Sequence, residues 1–240
     1  IIPNGREMKE NCYFLIDRSF IYSKLFCIIK ALSDAGVDMI EIGIPFSDPL
    51  ADGPVIQRSN SIALKNGISQ KLLFEQIKDI RKVTDIPLIF MGYINCALQY
   101  GFENLCKKAV EIGIDGIILP DLPFEEKAEF SDVCDKYDVA LISLIAPTSE
   151  SRIAMIAKEA DGFIYVVSSL GVTGTRSEIT TDLGSIVAKI REVTDVPCAI
   201  GFGISNPEQA KKMAGIADGA IVGSAIIKII DKNGKNSAGP

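Results

Sequence analysis

The chain contains no histidine. That absence removes Ser-His-Asp and Cys-His nucleophilic sites and every histidine-based metal centre, so no metal site is expected and other groups must run any chemistry. Basic runs are also missing, and the formal net charge is −6. A nucleic-acid binder needs a concentrated basic face to displace counterions from phosphates, so no nucleic-acid partner is expected. No apolar stretch approaches the roughly 18 uninterrupted residues of a membrane span, and no membrane partner is expected. C-x-x-C spacing is lacking too. The six cysteines, Cys12, Cys27, Cys96, Cys106, Cys134 and Cys198, lie scattered in apolar periodic segments with no signal peptide before them. They are expected to be reduced core residues of a cytoplasmic protein.

What is present fits an ordinary globular domain: 240 residues, 48% apolar and 23% charged, with 20 glycines and 11 prolines. The length permits two average domains or one α/β barrel, since barrels commonly run to about 250 residues. Short apolar runs alternate with longer stretches whose apolar residues fall at i, i+3, i+4 and i+7, which reads as strand, helix, strand, helix. The strand candidates begin at Cys12, Met39, Leu88, Gly116, Ala140, Phe163, Cys198 and Gly219. Eight of them over this length leave about 30 residues per unit, the size of one βα unit. They are apolar almost throughout, so both faces are expected to be buried, as in a parallel sheet covered by helices. A single (β/α)8 TIM barrel over residues 1–230 fits best, with DKNGKNSAGP (231–240) as a disordered tail. The turns entering strands also repeat weakly: TDIP (84–87) and TDVP (194–197) lie 110 residues apart, about half a barrel.

In such a barrel the site is built at the carboxyl ends of the strands by the loops that follow them. Two loops read as unusually long, 45–57 after the second strand and 168–184 after the sixth, and both are expected to overhang one mouth. Glu41, inside MIEIGI, is a carboxylate in a strand that otherwise reads as wholly buried. Desolvation would raise its pKa and suit it to donate a proton near neutral pH; the plainer reading is a strand-end Glu bonded to a neighbouring loop. Asp52, in ADGP, could face the same bound molecule from the other side, or be an ordinary turn residue. Glycine-rich strand ends at GVTG (171–174), GFGIS (201–205) and Gly223-Ser224 let backbone amides approach a ligand closely. Asn206-Pro207 reads as a helix start, and Gly223-Ser224 precedes a second helical segment. Helix N-termini after the seventh and eighth strands bind phosphate in many barrels, although plain βα turns would look similar. Phe14, Tyr165 and Phe202 add aromatic surface near strand ends, as core residues or as walls for a flat aromatic ligand carrying a phosphate.

The stretch IEIGIPFSDPLADGPVIQ (40–57), with SSLGVTGTR, GFGIS and VGSAIIKII following in order, resembles the tryptophan synthase α-subunit family from about residue 12 to residue 230. The resemblance implies a barrel that cleaves indole-3-glycerol phosphate by a retro-aldol step into indole and glyceraldehyde 3-phosphate. It implies transfer of the indole to a tryptophan synthase β subunit in an α2β2 assembly, with no cofactor here and pyridoxal phosphate only in that partner. Glu41 matches the acid/base glutamate that protonates the indole ring, and Asp52 the aspartate that accepts the indole N–H. Phe14, Tyr165, Thr173 and Phe202 match substrate-lining positions, while Gly174, Gly203, Gly223 and Ser224 match the phosphate cradle. Asp48, Pro49, Asn95 and Pro123 match loops that face the β subunit. Where the family carries a Gly-Asp-Pro loop after the first strand, this chain reads Asp17-Arg18-Ser19, and Cys96 replaces an expected proline. A free-standing indole-3-glycerol-phosphate lyase and a non-catalytic sugar-phosphate or partner-binding barrel are the alternative readings.

Overall fold

A computed structural model describes residues 12–16, 24–168, 182–201 and 203–233, with backbone only for 12–16 and 24. In chain order the elements are β1 Cys12–Ile16, α1 Lys24–Asp34, β2 Met39–Gly43, α2 Pro54–Lys65, α3 Gln70–Ile77, β3 Leu88–Met91, α4 Ile94–Tyr100 and α5 Phe102–Ile112. They continue with β4 Gly116–Ile118, α6 Ala128–Lys136, β5 Ala140–Ile145, α7 Glu150–Lys158, β6 Ile164–Val167, α8 Leu183–Arg191, β7 Cys198–Gly201, α9 Pro207–Ala214, β8 Gly219–Val222 and α10 Ser224–Asn233. Every strand pairs in parallel with its neighbours in sequence, and β1 pairs with β8 to close the barrel. All eight strands lie where the apolar runs place them.

Strand parity decides which side chains reach the site. Ile145, Ile164, Val166 and Ile200 pack with Ile153, Ile156, Ile186 and Val187 of α7 and α8, so that parity faces the helices. The opposite parity faces the barrel interior. Glu41 is in register with Ile89, Ile89 with Gly116, and Gly116 with Ala140; Tyr165 is in register with Leu144 and Ala199. The carboxyl group and the phenol therefore point into one enclosed space, beside small residues that leave it room.

The repeated strand entries form a matched pair of clamps at the amino ends. Near β3, the Arg81 guanidinium donates to the carbonyls of Gly113 and Ile86, 2.7 and 2.6 Å, and to the Asp115 carboxylate, which also accepts the Leu88 N–H at 2.8 Å. Near β7, Arg191 donates to Asp218 at 3.0 Å, and Asp218 accepts the Cys198 N–H at 2.9 Å. Thr84 and Thr194 each accept the N–H two residues on, both at 3.3 Å. Each aspartate thus ties the start of one strand to the strand before it and pairs with an arginine from the helical segment that leads into that earlier strand. Gly113, with φ +78°, has no Cβ because one would lie 2.6 Å from the Arg81 side chain.

Three expectations need correction. The loop after β2 ends at Gly53, because Pro54 occupies the first turn of α2, where its missing N–H costs nothing. The last helix runs to Asn233, three residues into the stretch expected to be tail; 234–240 lie outside the described residues. Cys27 sits on the exposed face of α1 instead of in the core, whereas Cys96, Cys106, Cys134 and Cys198 are buried. The Cys12 side chain lies outside the described residues.

Candidate active site

Glu41 is 0% exposed, and neither carboxyl oxygen has a hydrogen-bond partner among the described residues. With no donor to stabilise the anion, burial alone pushes its pKa up to about 8. The carboxyl group is therefore protonated at neutral pH, and among the described residues no group shares its proton. The loops after β1 and β6, to which a strand-end Glu could bond, lie outside the described residues.

Asp52 follows the loop from β2 and is 5% exposed. Burial raises its pKa to about 6, against hydrogen bonds from Tyr93 and Asn60 that lower it. The Asn60 amide, one turn into α2, donates to Oδ2 at 3.4 Å. Gln57 holds the Asp52 carbonyl at 2.8 Å, and the Asp52 N–H closes a turn onto the Pro49 carbonyl at 3.1 Å. Asp52 is thus ionised at neutral pH where Glu41 is not. Two carboxyl groups held in opposite protonation states by their surroundings are the arrangement that separates acid from anion in a catalytic site. Burial of the Tyr165 hydroxyl, and after it the ionised forms of both acids, raise its pKa well above the usual phenol value. Tyr165 therefore lies in electrostatic reach of both acids.

The ring of Tyr165 fits only because Gly201 has no side chain: a Cβ there would come within 2.4 Å of the phenol oxygen. The sequence reading assigned the glycines of GFGIS to close approach of a ligand, but at Gly201 the group that approaches is this ring. Gly203 has φ +87°, a conformation that L side chains rarely adopt. Asn206 caps α9 by accepting the Gln209 N–H at 2.8 Å, with Pro207 in the first turn, and Gly223 and Ser224 lead into α10. Two helix N-termini, after β7 and β8, thus flank the same end of the barrel as Tyr165.

The rim residues are linked to Asp52. Tyr93 Oη accepts the Ala51 N–H at 3.0 Å, and the next residue's N–H, on Ile94, donates to the Asp121 carboxylate at 3.0 and 3.2 Å. One hydrogen-bonded line therefore joins the loop bearing Asp48 and Pro49, the start of α4 bearing Asn95, and the β4 loop bearing Pro123. Asp48, Asn95 and Pro123 are exposed. Leu50 is 82% exposed in the same loop as Asp48 and Pro49. Cys96 is buried, and its carbonyl accepts from Gln70 at 2.9 Å. Sequence reasoning missed Tyr93, Asn60, Gln57 and Asp121. Thr173, Gly174, Phe202, the Phe14 side chain and the Asp17-Arg18-Ser19 loop lie outside the described residues.

A family model for "Tryptophan synthase alpha chain" matches residues 14–239. The tryptophan synthase alpha chain of Lactiplantibacillus plantarum is 53% identical over 203 residues, covering 84% of this chain and 77% of the relative. That of Alkaliphilus metalliredigens is 48% identical over 206 residues, covering 86% and 77%. Among solved structures, the tryptophan synthase complex from Pyrococcus furiosus superposes with a TM-score of 0.86 at 31% identity, over 95% of this chain and 93% of that one. Tryptophan synthase subunit alpha from Campylobacter jejuni gives 0.84 at 33% identity, over 97% and 94%.

Proposed function

The chain belongs to the tryptophan synthase alpha chain family, and we propose that Glu41 and Asp52 carry the reaction in it: retro-aldol cleavage of indole-3-glycerol phosphate to indole and glyceraldehyde 3-phosphate. The observation that carries this reading is the buried, protonated carboxyl group of Glu41, without a hydrogen-bond partner among the described residues, together with a second carboxyl group, that of Asp52, which stays ionised.

The chemistry needs that difference. The bond between the indole ring and the glycerol chain breaks only once the ring carbon bearing the chain is tetrahedral and the ring can take up the bonding electrons. Glu41 supplies the proton to that carbon, and Asp52 accepts the ring N–H and offsets the positive charge that grows there. When the carbon–carbon bond breaks, its electron pair restores the aromatic ring. The adjacent glycerol hydroxyl becomes the aldehyde and loses its proton, for which the Glu41 carboxylate is the base at hand. Tyr165, Thr173, Phe202 and Phe14 line the indole and glycerol part, and the amides around Gly174, Gly203, Gly223 and Ser224 hold the phosphate. For a chain of net charge −6, local amide dipoles must do what the overall field cannot.

The lyase works beside a tryptophan synthase β subunit in an α2β2 complex, docked on the rim that carries Asp48, Pro49, Asn95 and Pro123. The indole passes to that subunit, where pyridoxal phosphate completes L-tryptophan synthesis; the α reaction itself uses no cofactor. We place the chain in the cytoplasm, in keeping with the close but unlinked thiols of Cys106 and Cys134, 4.0 Å apart. The test is indole release from indole-3-glycerol phosphate, measured with and without the β subunit, for the parent chain and for Glu41→Gln. Release that needs Glu41 supports the assignment, and release by Glu41→Gln at more than a tenth of the parent rate refutes it.

A further inference from the structure

A cavity of about 270 Å3 lies among the segment from β4 to α6, β5, α7 and the end of β6. Most of its wall is apolar, including Leu122, Leu141, Ile156 and Val167, and Lys127 and Ser143 also line it. Lys127 opens α6 and is half-buried. Its ammonium donates to Ser143 Oγ at 3.1 Å and to the Glu159 carbonyl, both neutral oxygens. Among the described residues no carboxylate lies at ion-pair distance from it. The carboxylates of Glu159, Asp161 and Asp135 act from farther away and do not offset burial, which holds the ammonium pKa below its ordinary value. Arg152, the other cation at the cavity, is already satisfied by Glu125 at 2.6 Å. A desolvated charge without a counter-ion, beside an empty apolar volume, is costly unless something supplies the missing charge.

We propose that this cavity binds a small apolar monocarboxylate, whose carboxylate lies on Lys127 Nζ and whose hydrocarbon body packs on Leu122, Leu141, Ile156 and Val167. Lysine has three donors, and Ser143 Oγ and the Glu159 carbonyl use two of them, which leaves one for an incoming oxygen. One uncompensated ammonium suits a single negative charge better than a phosphate dianion. A zwitterionic amino acid would bring a second ammonium against the first. Apolar cavities of about 150 Å3 already admit benzene, so the space suffices for a ring and a short chain. The site is separate from the phosphate cradle, which lies after β7 and β8, but it adjoins the acids' chamber through Leu144, the register partner of Tyr165.

Phenylacetate is the probe and phenylacetamide its neutral isostere, with binding to the full chain followed by calorimetry and NMR. Phenylacetate is expected to bind saturably, and the amide at least about tenfold more weakly, because a charge-assisted hydrogen bond is replaced by a neutral one. Lys127→Met should lower phenylacetate affinity by a similar factor, while Glu41→Gln leaves it unchanged. Absence of saturable binding, equal binding of the amide, or a loss in Glu41→Gln with none in Lys127→Met would overturn the proposal. Should Lys127→Met fail to fold, the acid-to-amide comparison on the parent chain decides the matter alone.

Discussion

Gly201 and Tyr165 occupy adjacent strands, and the space that a Cβ on one would need is filled by the ring of the other, 2.4 Å from the phenol oxygen. Tyr165 is buried in a close-packed interior, so an added methyl group at Gly201 must displace its ring. Gly201→Ala is therefore expected to push the ring into the substrate space. KM should rise by about tenfold or more, with the fold retained. A smaller side chain in place of Tyr165 should restore much of the loss in the Gly201→Ala background. Independent, additive effects of the two substitutions would show that the contact does not control the site.

The protonation states predict a bell-shaped pH profile. Glu41 must carry its proton to act as the acid, so kcat/KM should fall as pH rises through about 8. Asp52 must be ionised to receive the indole N–H, so kcat/KM should also fall as pH drops through about 6. Stability follows with the opposite sign from the ordinary carboxylate case. The folded chain holds the Glu41 proton from the ordinary carboxyl value of about 4.5 up to about 8, so this group's contribution declines as pH rises across that window and then levels off. Glu41→Gln should remove that slope in Tm against pH, and should lower turnover by at least about 100-fold. An unchanged slope would mean that the carboxyl group is not buried as a neutral acid.

Tyr93 and Asn60 set the level of Asp52. Tyr93→Phe deletes a donor to the carboxylate and the acceptor for the Ala51 N–H. The acidic limb of kcat/KM should shift to higher pH while the basic limb, which belongs to Glu41, stays in place. A uniform drop at all pH values would point to a loosened loop and no electrostatic role.

These dependencies mark where the sequence stops being legible. The barrel was readable because parallel strands buried on both faces are continuous apolar runs, and every run named in advance became a strand. The burial of Glu41 was readable for the same reason, since it sits inside such a run and is 0% exposed. The first turn of α2 carried its own signal in Gly53-Pro54, a helix start that ends the loop four residues before residue 57. Tyr93, Asn60 and Gln57 carried no signal, because each is an ordinary residue whose role exists only once α2 and the β3 loop meet around Asp52. Gly201 misled, since nothing local distinguishes a glycine that admits a ligand from one that admits a ring.

Gly203 tests the phosphate cradle. Its φ of +87° leaves any side chain strained, in the turn between β7 and α9. Gly203→Val should weaken indole-3-glycerol phosphate and free glycerol 3-phosphate alike, while indole alone binds nearly as before. Normal binding of glycerol 3-phosphate to the variant would put the cradle elsewhere.

The last prediction follows the line of hydrogen bonds from the rim to Asp52. Pro49 accepts the Asp52 N–H, Tyr93 bonds both the Asp52 carboxylate and Ala51, and Asp121 holds the start of α4 one residue beyond Tyr93. A β subunit docked on Asp48, Pro49, Asn95 and Pro123 therefore grips each loop that fixes the position of Asp52. Docking that favours the arrangement with Asp52 over the indole nitrogen shifts the population toward the active state, and by linkage substrate and partner tighten each other's binding by the same factor. Activity alone should be low and should rise by about tenfold or more with saturating β subunit. Asp121→Ala, which cuts the line without touching substrate, should reduce that stimulation far more than it reduces turnover of the isolated chain. Equal turnover with and without β subunit in the parent, or full stimulation of Asp121→Ala, would show that the rim and the acids are not coupled along this route.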